Sequence, residues 1–231
     1  MRSSAEPRAA AVVVAGGAGT RLGGSVRKQY LQLAGVPVLL RAVRAFTLHP
    51  AIAQVVVVLP PEDAAAPPPW LAELGVTIAA GGAERGDSVW SGLQAVSPDV
   101  DRVLVHDGAR PLVTREVIDR VIAGCGDEGA IAGVPVTDTI KSVDAEGLVA
   151  GTPDRATLWQ AQTPQGFPRR RLVDAYRHAR ADGVVATDDA AVYERYAGPV
   201  RVVMGAPENL KVTRPGDLEI AEVLLRRISA G

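Results

Sequence analysis

The residues best suited to chemistry stand in a glycine-rich stretch near the start of the chain. It reads Ala15-Gly16-Gly17-Ala18-Gly19-Thr20-Arg21-Leu22-Gly23-Gly24, and Arg27-Lys28-Gln29-Tyr30 follow soon after. An apolar run at residues 9–14 precedes it and predicts a buried first strand. A glycine turn that leaves a strand presents backbone N–H groups to phosphate, and Arg21 and Lys28 would add positive charge. The residue types therefore predict a phosphate site; the alternative is a surface turn with solvated cations.

Two familiar phosphate loops do not fit this turn. The dinucleotide pattern G-x-G-x-x-G, started at Gly17, needs a third glycine where the chain has Leu22. The P-loop pattern, started at Gly19, reaches Gly24 but then meets Ser25 instead of lysine. A glycine turn with an arginine inside it and a lysine shortly after it suits a triphosphate whose negative charge rises during reaction.

Composition limits the class of protein. The 231 residues are 47% hydrophobic, enough for one α/β domain with a sizeable core. The net charge of −1 gives no bulk basic field for nucleic acid. One cysteine, Cys125, excludes a disulfide framework and a cysteine-based zinc site, and the three histidines are scattered. No apolar run is long enough for a membrane span. Residues 1–8 lack the order of a secretory signal, and we expect them to be disordered. We therefore expect a cytoplasmic enzyme with no membrane partner.

Strand patterns alternate with helical patterns along the chain. Strands are predicted at residues 9–15, 54–59, 76–79, 102–106, 130–135 and 200–204, and the main helices at 36–48, 87–96, 114–124, 169–181, 188–196 and 216–228. Asp87 or Ser88 is expected to cap the helix at 87–96, and Thr114 the next one. This alternation predicts a Rossmann-like α/β fold, a mainly parallel sheet flanked by helices. The Pro- and Ala-rich residues 62–69 are expected to lie away from the site.

Residues 136–162 break the rhythm. Polar alternation and turn residues at 144–147 predict a β-hairpin that protrudes from the domain, and the alternative is a long surface loop. An extended hairpin of this size is more often used for docking than left free in solvent. We therefore expect residues 1–231 to form one domain with this hairpin as an arm.

Two further clusters follow predicted strands. The second glycine-rich turn, residues 81–88, offers Gly82 and Ser88 to a base edge or a phosphate, although Ser88 could serve as a helix cap alone. Asp107 ends a buried strand, where ligands of parallel sheets bind, and its carboxylate suits Mg²⁺ or another divalent cation; the alternative is a turn cap. We expect the neighbouring His106 to be a hydrogen-bonded core residue and Arg110 to have a structural pairing role.

The clusters occur in an order that carries a resemblance. They read A-G-G-x-G-x-R, K-Q-Y, G-G-x-E-R-x-D-S-V, V-H-D-G-A-R-P, D-T-I-K, T-P-Q-x-F and N-x-K-V-T-x-P-x-D. Together they resemble the 2-C-methyl-D-erythritol 4-phosphate cytidylyltransferases, over about residues 10–221. Many sugar-nucleotidyltransferases share the first turn, whereas K-Q-Y, V-H-D-G-A-R-P and K-V-T-x-P-x-D are much more specific to this branch.

The resemblance implies a fold, a reaction and a set of residues. The fold is a nucleotidyltransferase domain whose β-arm exchanges across a homodimer. The phosphate of methylerythritol phosphate attacks the α-phosphorus of CTP in line, and pyrophosphate leaves. The catalytic residues would be Arg21 and Lys28, which stabilise the transition state, with Arg155 and Lys211, and Asp107 would lie beside Mg²⁺. CTP would bind Ala15, Gly16, Gly17, Ala18, Gly19, Gly82, Asp87, Ser88, Gly108 and Ala109. The acceptor would bind Thr139, Arg155, Thr187 and Lys211.

The sequence leaves three alternatives open. The nearest is a cytidylyltransferase for ribitol 5-phosphate or another polyol phosphate, which would differ at the acceptor residues. A dinucleotide-dependent oxidoreductase is disfavoured by Leu22, which stands where the third glycine is required. A non-catalytic nucleotide-binding module is disfavoured by the joint presence of Arg21, Lys28 and Asp107. An ionised phosphate needs no general base at neutral pH, which agrees with the lack of a histidine–carboxylate pair in the motifs.

Overall fold

The computed structural model describes residues 8–17 and 27–230. Its strands are β1 (Ala9–Val14), β2 (Gln32–Leu33), β3 (Val36–Pro37), β4 (Ile52–Leu59), β5 (Thr77–Ala80), β6 (Arg102–Asp107), β7 (Gly129–Pro135), β8 (Ser142–Val143), β9 (Val149–Gly151), β10 (Trp159–Pro168) and β11 (Val200–Met204). Its helices are α1 (Val38–Thr47), α2 (Pro61–Ala65), α3 (Pro69–Ala72), α4 (Arg85–Gln94), α5 (Arg115–Gly124), α6 (Arg169–Ala181), α7 (Asp189–Tyr196) and α8 (Pro215–Ala230). None of the helices in this part of the chain is long and apolar enough to cross a membrane.

The central sheet has the strand order β11-β7-β10-β6-β1-β4-β5. β1 pairs in parallel with β4 and β6, β4 with β5, and β7 with β11. β10 alone among these strands runs antiparallel, between β6 and β7. The predicted mainly parallel sheet flanked by helices is confirmed. The place of β10 was not predicted, because its sequence WQAQTPQGFP contains no β-branched run and carries two prolines.

The core lies on both faces of the sheet. Along β1, Ala10 and Val12 pack against one apolar cluster, while Ala11 and Val13 pack against the other. Such alternation between two covered faces explains why the strand is apolar at every position. Helices α4, α6 and α7 contribute to the first cluster, and α1 and α5 to the second. β1 and β6 are therefore held rigidly, and their carboxyl ends form a fixed edge.

Several predicted boundaries shift for local reasons. α4 begins at Arg85, two residues earlier than predicted, because Glu84 occupies the N-cap and its N–H donates to Asp87 Oδ2 at 3.3 Å. Asp87 and Ser88 are thus inside the helix, and the expectation that either is the N-cap was wrong. Thr114 does occupy the N-cap position of α5. α1 begins at Val38 instead of residue 36, because the residue before a proline is disfavoured in helical backbone and Pro37 itself is the N-cap.

The hairpin predicted at residues 136–162 is shorter than expected. Residues 159–162 belong to β10 in the central sheet, and only β8 and β9 pair as an antiparallel ribbon. Asp144 Oδ1 accepts the N–H groups of Glu146 and Leu148 and so shapes the turn between them. Every residue from 137 to 150 is exposed within this chain.

Candidate active site

A cavity of about 510 Å³ opens at the carboxyl ends of β1 and β6. The last residues of these strands, Val14 and Asp107, are direct partners in the parallel register. The described residues that line it are Val14, Ala15, Gly16, Gly17, Arg27, Lys28, Gln29, Pro60, Pro61, Glu62, Gly82, Ala83, Glu84, Arg85, Ser88, Asp107, Gly108, Ala109, Lys211 and Thr213. This is the edge at which open α/β sheets bind their ligands. Most of the predicted nucleotide-site residues that the structure describes therefore share one cavity.

Ser88 joins the two glycine turns beneath the cavity. Its buried hydroxyl accepts the N–H of Gly82 at 3.2 Å and donates to the carbonyl of Glu84 at 3.3 Å. A Cβ added at either Gly16 or Gly81 would lie 2.8 Å from Ser88 Oγ. Only glycine lets the two backbones approach this closely. Ser88 thus bonds to the second turn and packs against the first, and it lines the cavity together with the backbone of both turns.

Asp107 is the charge centre of the cavity. Its Oδ2 lies 2.9 Å from Lys211 Nζ and 3.8 Å from Arg110 Nε, and its Oδ1 lies 3.3 Å from Arg85 Nε. Burial by itself raises the pKa of Asp107, but the charges of Arg85, Lys211 and Arg110 outweigh burial and hold that pKa well below its ordinary value. The carboxylate therefore stays ionised in the neutral range.

His106 holds the backbone of Asp107 and faces no substrate space. Its Nε2 lies 3.1 Å from the carbonyl of Arg110, so this nitrogen carries the proton. Its Nδ1 accepts from Thr163 Oγ1 at 3.0 Å, and that hydroxyl accepts the N–H of Asp107 at 3.0 Å. Complete burial lowers the pKa of His106 to about 4. The histidine is neutral and fully bonded, in agreement with the predicted core role.

The segment before α8 brings Lys211 to Asp107. The buried side chain of Asn209 donates through Nδ2 to the carbonyl of Thr163 at 2.8 Å. The main-chain carbonyl of Asn209 accepts from Arg110 Nη1 at 2.7 Å. The N–H of Val212 donates to the carbonyl of Ala109 at 2.8 Å. These bonds flank Lys211 on both sides, and they confirm the pairing role expected for Arg110.

Lys28 enters the cavity from a short 3₁₀ turn, Lys28–Tyr30. The buried side chain of Gln29 donates to the carbonyl of Ala15 at 3.2 Å and so fastens this turn to the end of β1. Arg27 pairs with Glu62 and, at 2.9 Å, with Asp63. Pro60, Pro61 and Glu62 line the cavity. Residues 62–69 were expected to lie away from the site, and this expectation was wrong for Glu62. The reason is that β4, which precedes Glu62, ends at the same sheet edge as β1.

Some predicted residues lie elsewhere. Asp87 pairs with Arg180 and is absent from the cavity lining. Three residues of the predicted acceptor site are exposed and do not line the cavity within this chain: Thr139, Arg155 and Thr187. Arg155 donates through Nη1 to the carbonyl of Thr137 at 3.0 Å. Ala18, Gly19 and Arg21 lie outside the described residues, as do residues 1–7.

The structure also adds residues that the motifs contained but that were assigned no role. Arg27, Gln29 and Arg85 line the cavity, each one within or beside a quoted motif. The position of these residues in the chain could have indicated their place in the cavity, because each follows a strand that ends at this edge of the sheet. Thr213 also lines the cavity, two residues after Lys211.

The chain is similar to known proteins of one family. The family model described as "IspD: 2-C-methyl-D-erythritol 4-phosphate cytidylyltransferase" matches residues 9–227. A cytidylyltransferase of that name from Symbiobacterium thermophilum is 46% identical over 215 residues, which cover 93% of this chain and 91% of the relative.

Solved structures give the same result. The crystal structure of the Thermus thermophilus enzyme of that name is 35% identical, with a TM-score of 0.76, and the match covers 93% of this chain and 98% of that one. The structure of 4-diphosphocytidyl-2C-methyl-D-erythritol synthase from Anaerococcus prevotii has a TM-score of 0.82 at 26% identity, covering 96% and 99%. The chain therefore belongs to the 2-C-methyl-D-erythritol 4-phosphate cytidylyltransferase family of nucleotidyltransferases.

Proposed function

We propose that this protein joins CTP and 2-C-methyl-D-erythritol 4-phosphate in the cavity at the ends of β1 and β6. The observation that carries the proposal is the meeting of Lys28, Asp107 and Lys211 around one cavity walled by two glycine turns. In the transfer, an oxygen of the acceptor phosphate forms a bond to the α-phosphorus of CTP. The bond from that phosphorus to the bridging oxygen breaks, and pyrophosphate leaves with the electron pair.

Charge and position supply the catalysis in this proposal. Positive side chains that line the described part of the cavity are Arg27, Lys28, Arg85 and Lys211. Lys28, together with Arg21 from the sequence motif, stabilises the charge that builds on the α-phosphoryl group. Lys211 holds the acceptor phosphate. Fixed donors aimed at developing charge are worth on the order of 10²–10³ in rate each.

No general base takes part in the step. A phosphate monoester has its second pKa near 6, so it attacks as the ionised form. No histidine or cysteine is found among the described residues that line the cavity. The nearby His106 is neutral, buried and bonded at both nitrogens, which agrees with a reaction that needs no proton removed.

The nucleotide rests on backbone groups. Ala15, Gly16, Gly17 and Gly82 place the backbone of the two turns at the cavity wall, and Gly108 and Ala109 continue the wall beyond β6. Ser88 fixes the second turn from below. We extend this wall to Ala18 and Gly19 on the sequence motif alone. Asp87 has no contact with the cavity in the structure, so its part in CTP binding would be indirect, through the start of α4.

Mg²⁺ fits the donors of this cavity. Within the described ranges no cluster of three or more His, Cys, Asp or Glu side chains could hold a metal alone. Asp107 is one ionised carboxylate at the cavity wall, and Mg²⁺ is commonly bound by one or two carboxylates together with substrate phosphates. When bound, Mg²⁺ would neutralise triphosphate charge. We expect chelation of divalent cations to abolish turnover and added Mg²⁺ to restore it.

The ribbon of β8 and β9 is the proposed dimerisation arm. Apolar side chains on and beside it are exposed within this chain: Ile140, Val143, Leu148, Val149 and Trp159. Several large apolar side chains exposed on one short segment indicate an interaction surface. Arg155 follows the ribbon and does not reach its own cavity, so we propose that each subunit of a homodimer supplies Arg155 and Thr139 to its partner's acceptor site. Thr187 would join the same acceptor site from the loop before α7.

Complementation between inactive variants tests this sharing. Lys28→Ala and Arg155→Ala subunits are co-expressed with different tags, and mixed dimers are purified. If Arg155 acts across the interface, one of the two sites in each mixed dimer is intact and about half of wild-type activity returns, by the symmetry of the dimer. Pairing Lys28→Ala with Lys211→Ala is the control, because both residues line one cavity and no site is restored. Equal inactivity of both mixtures would show that sharing is wrong.

The reaction itself is tested by product analysis. Incubation with CTP, Mg²⁺ and methylerythritol phosphate should give pyrophosphate and, in ³¹P NMR spectra, two new coupled signals from the diphosphate that links cytidine to methylerythritol. Ribitol 5-phosphate in a parallel sample distinguishes the alternative acceptor. If pyrophosphate is released with ribitol 5-phosphate but not with methylerythritol phosphate, the proposed acceptor is wrong. If pyrophosphate is released with neither compound, the proposed transfer is wrong.

We also propose the cytoplasm as the compartment, which cell fractionation followed by immunoblotting would check.

A further inference from the structure

A buried carboxylate that the proposed reaction does not use lies behind the cavity. Asp189 is the first residue of α7 and is completely buried. Its Oδ1 accepts the hydroxyl of Tyr176 at 2.6 Å, and its Oδ2 accepts from Arg85 Nη2 at 2.8 Å. A buried ion pair is costly to build, and an apolar replacement of similar volume is often as stable. Stability therefore gives no strong reason for a charge at this position.

Arg85 connects this carboxylate to the cavity. The same guanidinium that donates to Asp189 also donates through Nε to Asp107 Oδ1 at 3.3 Å. Burial would lower the pKa of Arg85, but the charges of Asp189 and Asp107 raise it far above its ordinary value. Arg85 is thus a permanent cation held between two carboxylates, one behind the wall and one at its surface.

The second oxygen of Asp107 completes the series. Because Oδ1 faces Arg85, Oδ2 is left at 2.9 Å from Lys211 Nζ. Four charges of alternating sign therefore follow one another from α7 to the segment before α8: Asp189, Arg85, Asp107 and Lys211. We call this the ion-pair series.

We propose that Asp189, held by Tyr176, is a positioning residue that acts through Arg85 on Asp107 and so fixes Lys211 for the acceptor phosphate. The proposal rests on the proposed function for the role of Lys211, and on the structure alone for the geometry. Without the charge of Asp189, the guanidinium group of Arg85 is free to turn so that its Nε and Nη2 both donate to Asp107. The carboxylate would then rotate away from Lys211, and the ammonium group would lose its fixed place.

The first test is kinetic. Asp189→Asn keeps the size of the side chain, removes the charge and replaces one of the two acceptor oxygens by an NH₂ donor. We expect kcat/KM for the acceptor to fall by as much as ~10²-fold, as small misplacements of a binding group can cause, while the dissociation constant of CTP measured without acceptor changes little. Asp182→Asn is the matched control, since Asp182 also accepts a tyrosine hydroxyl, that of Tyr196 at 2.7 Å, but at the surface. If kcat/KM for CTP fell as much as kcat/KM for the acceptor, an effect through Lys211 would be contradicted.

The second test separates positioning from general damage. In a Lys211→Gln background, Asp189→Asn should have little further effect on kcat/KM for the acceptor, because the residue through which it acts is already lost. The same fold-loss in both backgrounds would overturn the proposal. Tyr176→Phe, which keeps the charge and removes one hydrogen bond, carries the test with a smaller expected loss if Asp189→Asn does not fold.

A structural measurement keeps the result independent of the proposed reaction. Crystal structures of wild type and Asp189→Asn would show whether the contact of Lys211 with Asp107 opens. Persistence of the 2.9 Å contact in the variant would overturn the ion-pair series as a positioning device, whatever the activity. Absence of turnover by wild type would instead overturn the proposed function.

Discussion

At the scale of single residues, the cavity depends on which groups keep their charge. Asp107 stays ionised because three cations surround it, whereas its neighbour His106 stays neutral because it is buried with both nitrogens bonded. From the motif V-H-D-G-A-R-P, the sequence predicted a hydrogen-bonded core role for His106 and a pairing role for Arg110. It could not predict Arg85 as a partner of Asp107, because that contact joins residues 22 positions apart.

The neutral histidine predicts how stability changes with pH. In the unfolded chain His106 binds a proton near pH 6.5, but in the folded protein it does so only near pH 4. The free energy of unfolding should therefore fall as pH falls from 6.5 to 4, by on the order of 3 kcal/mol from this group. Urea unfolding at several pH values measures the slope. The slope should diminish in His106→Gln, and an unchanged slope in that variant would contradict a depressed pKa.

Lys211 gives a second prediction at this scale. Lys211→Gln removes the charge proposed to hold the acceptor phosphate, and kcat/KM for the acceptor should fall by on the order of 10²-fold. Initial rates with varied acceptor at saturating CTP measure it. Arg177→Gln serves as the control, because Arg177 is an exposed cation on α6 paired with Asp174. A loss in Lys211→Gln no greater than in the control would show that Lys211 does not bind the acceptor.

At the scale of elements, the strands and helices with strong periodicity were predicted well, and the exceptions have physical causes. The ranges of α6 and β11 agree with the prediction at both ends. β10 was missed because its place is fixed by pairing with β6 and β7 rather than by its own residues. The two glycine turns were predicted as ligand sites, but their contact through Ser88 depends on the strand order and was not predictable.

That contact can be tested by crowding it. Gly16→Ala would place a methyl group 2.8 Å from Ser88 Oγ, whereas a Cβ at Gly17 meets nothing within 4 Å among the described atoms. Gly16→Ala should therefore lower the free energy of unfolding by about 1–3 kcal/mol, as overpacking does. Gly17→Ala should leave stability close to wild type. Thermal or urea unfolding compares the two, and equal stabilities would contradict the close approach of the turns.

At the scale of the whole molecule, one sheet edge holds the proposed nucleotide site, while the residues of the proposed acceptor site are divided. Asp107 and Lys211 lie at the cavity, but Thr139, Arg155 and Thr187 lie outside its lining within one chain. The motifs placed all of them in one set because sequence order carries no information about which subunit completes a site. The exposed ribbon of β8 and β9 is the feature that leads us to propose a second copy.

Charge introduced on the ribbon tests assembly directly. The double substitution Val143→Asp and Leu148→Asp replaces two apolar side chains by carboxylates. In the single chain these side chains are 59% and 67% exposed. If these side chains are buried between subunits, analytical ultracentrifugation should show monomers where wild type forms dimers, because unpaired buried charges are costly. Val185→Asp is the control, since Val185 is 83% exposed and lies outside the ribbon. A variant that sediments as wild type would contradict the arm as the interface.

We propose that positive charge at the glycine turns lowers the barrier to cytidylyl transfer. Lys28→Met isolates this effect, because methionine keeps most of the length of the side chain and removes the charge. Turnover with saturating CTP, Mg²⁺ and methylerythritol phosphate should fall by on the order of 10²–10³, while CTP binding measured without acceptor weakens far less. Near-wild-type turnover in Lys28→Met, with wild type releasing pyrophosphate in the same assay, would contradict the account.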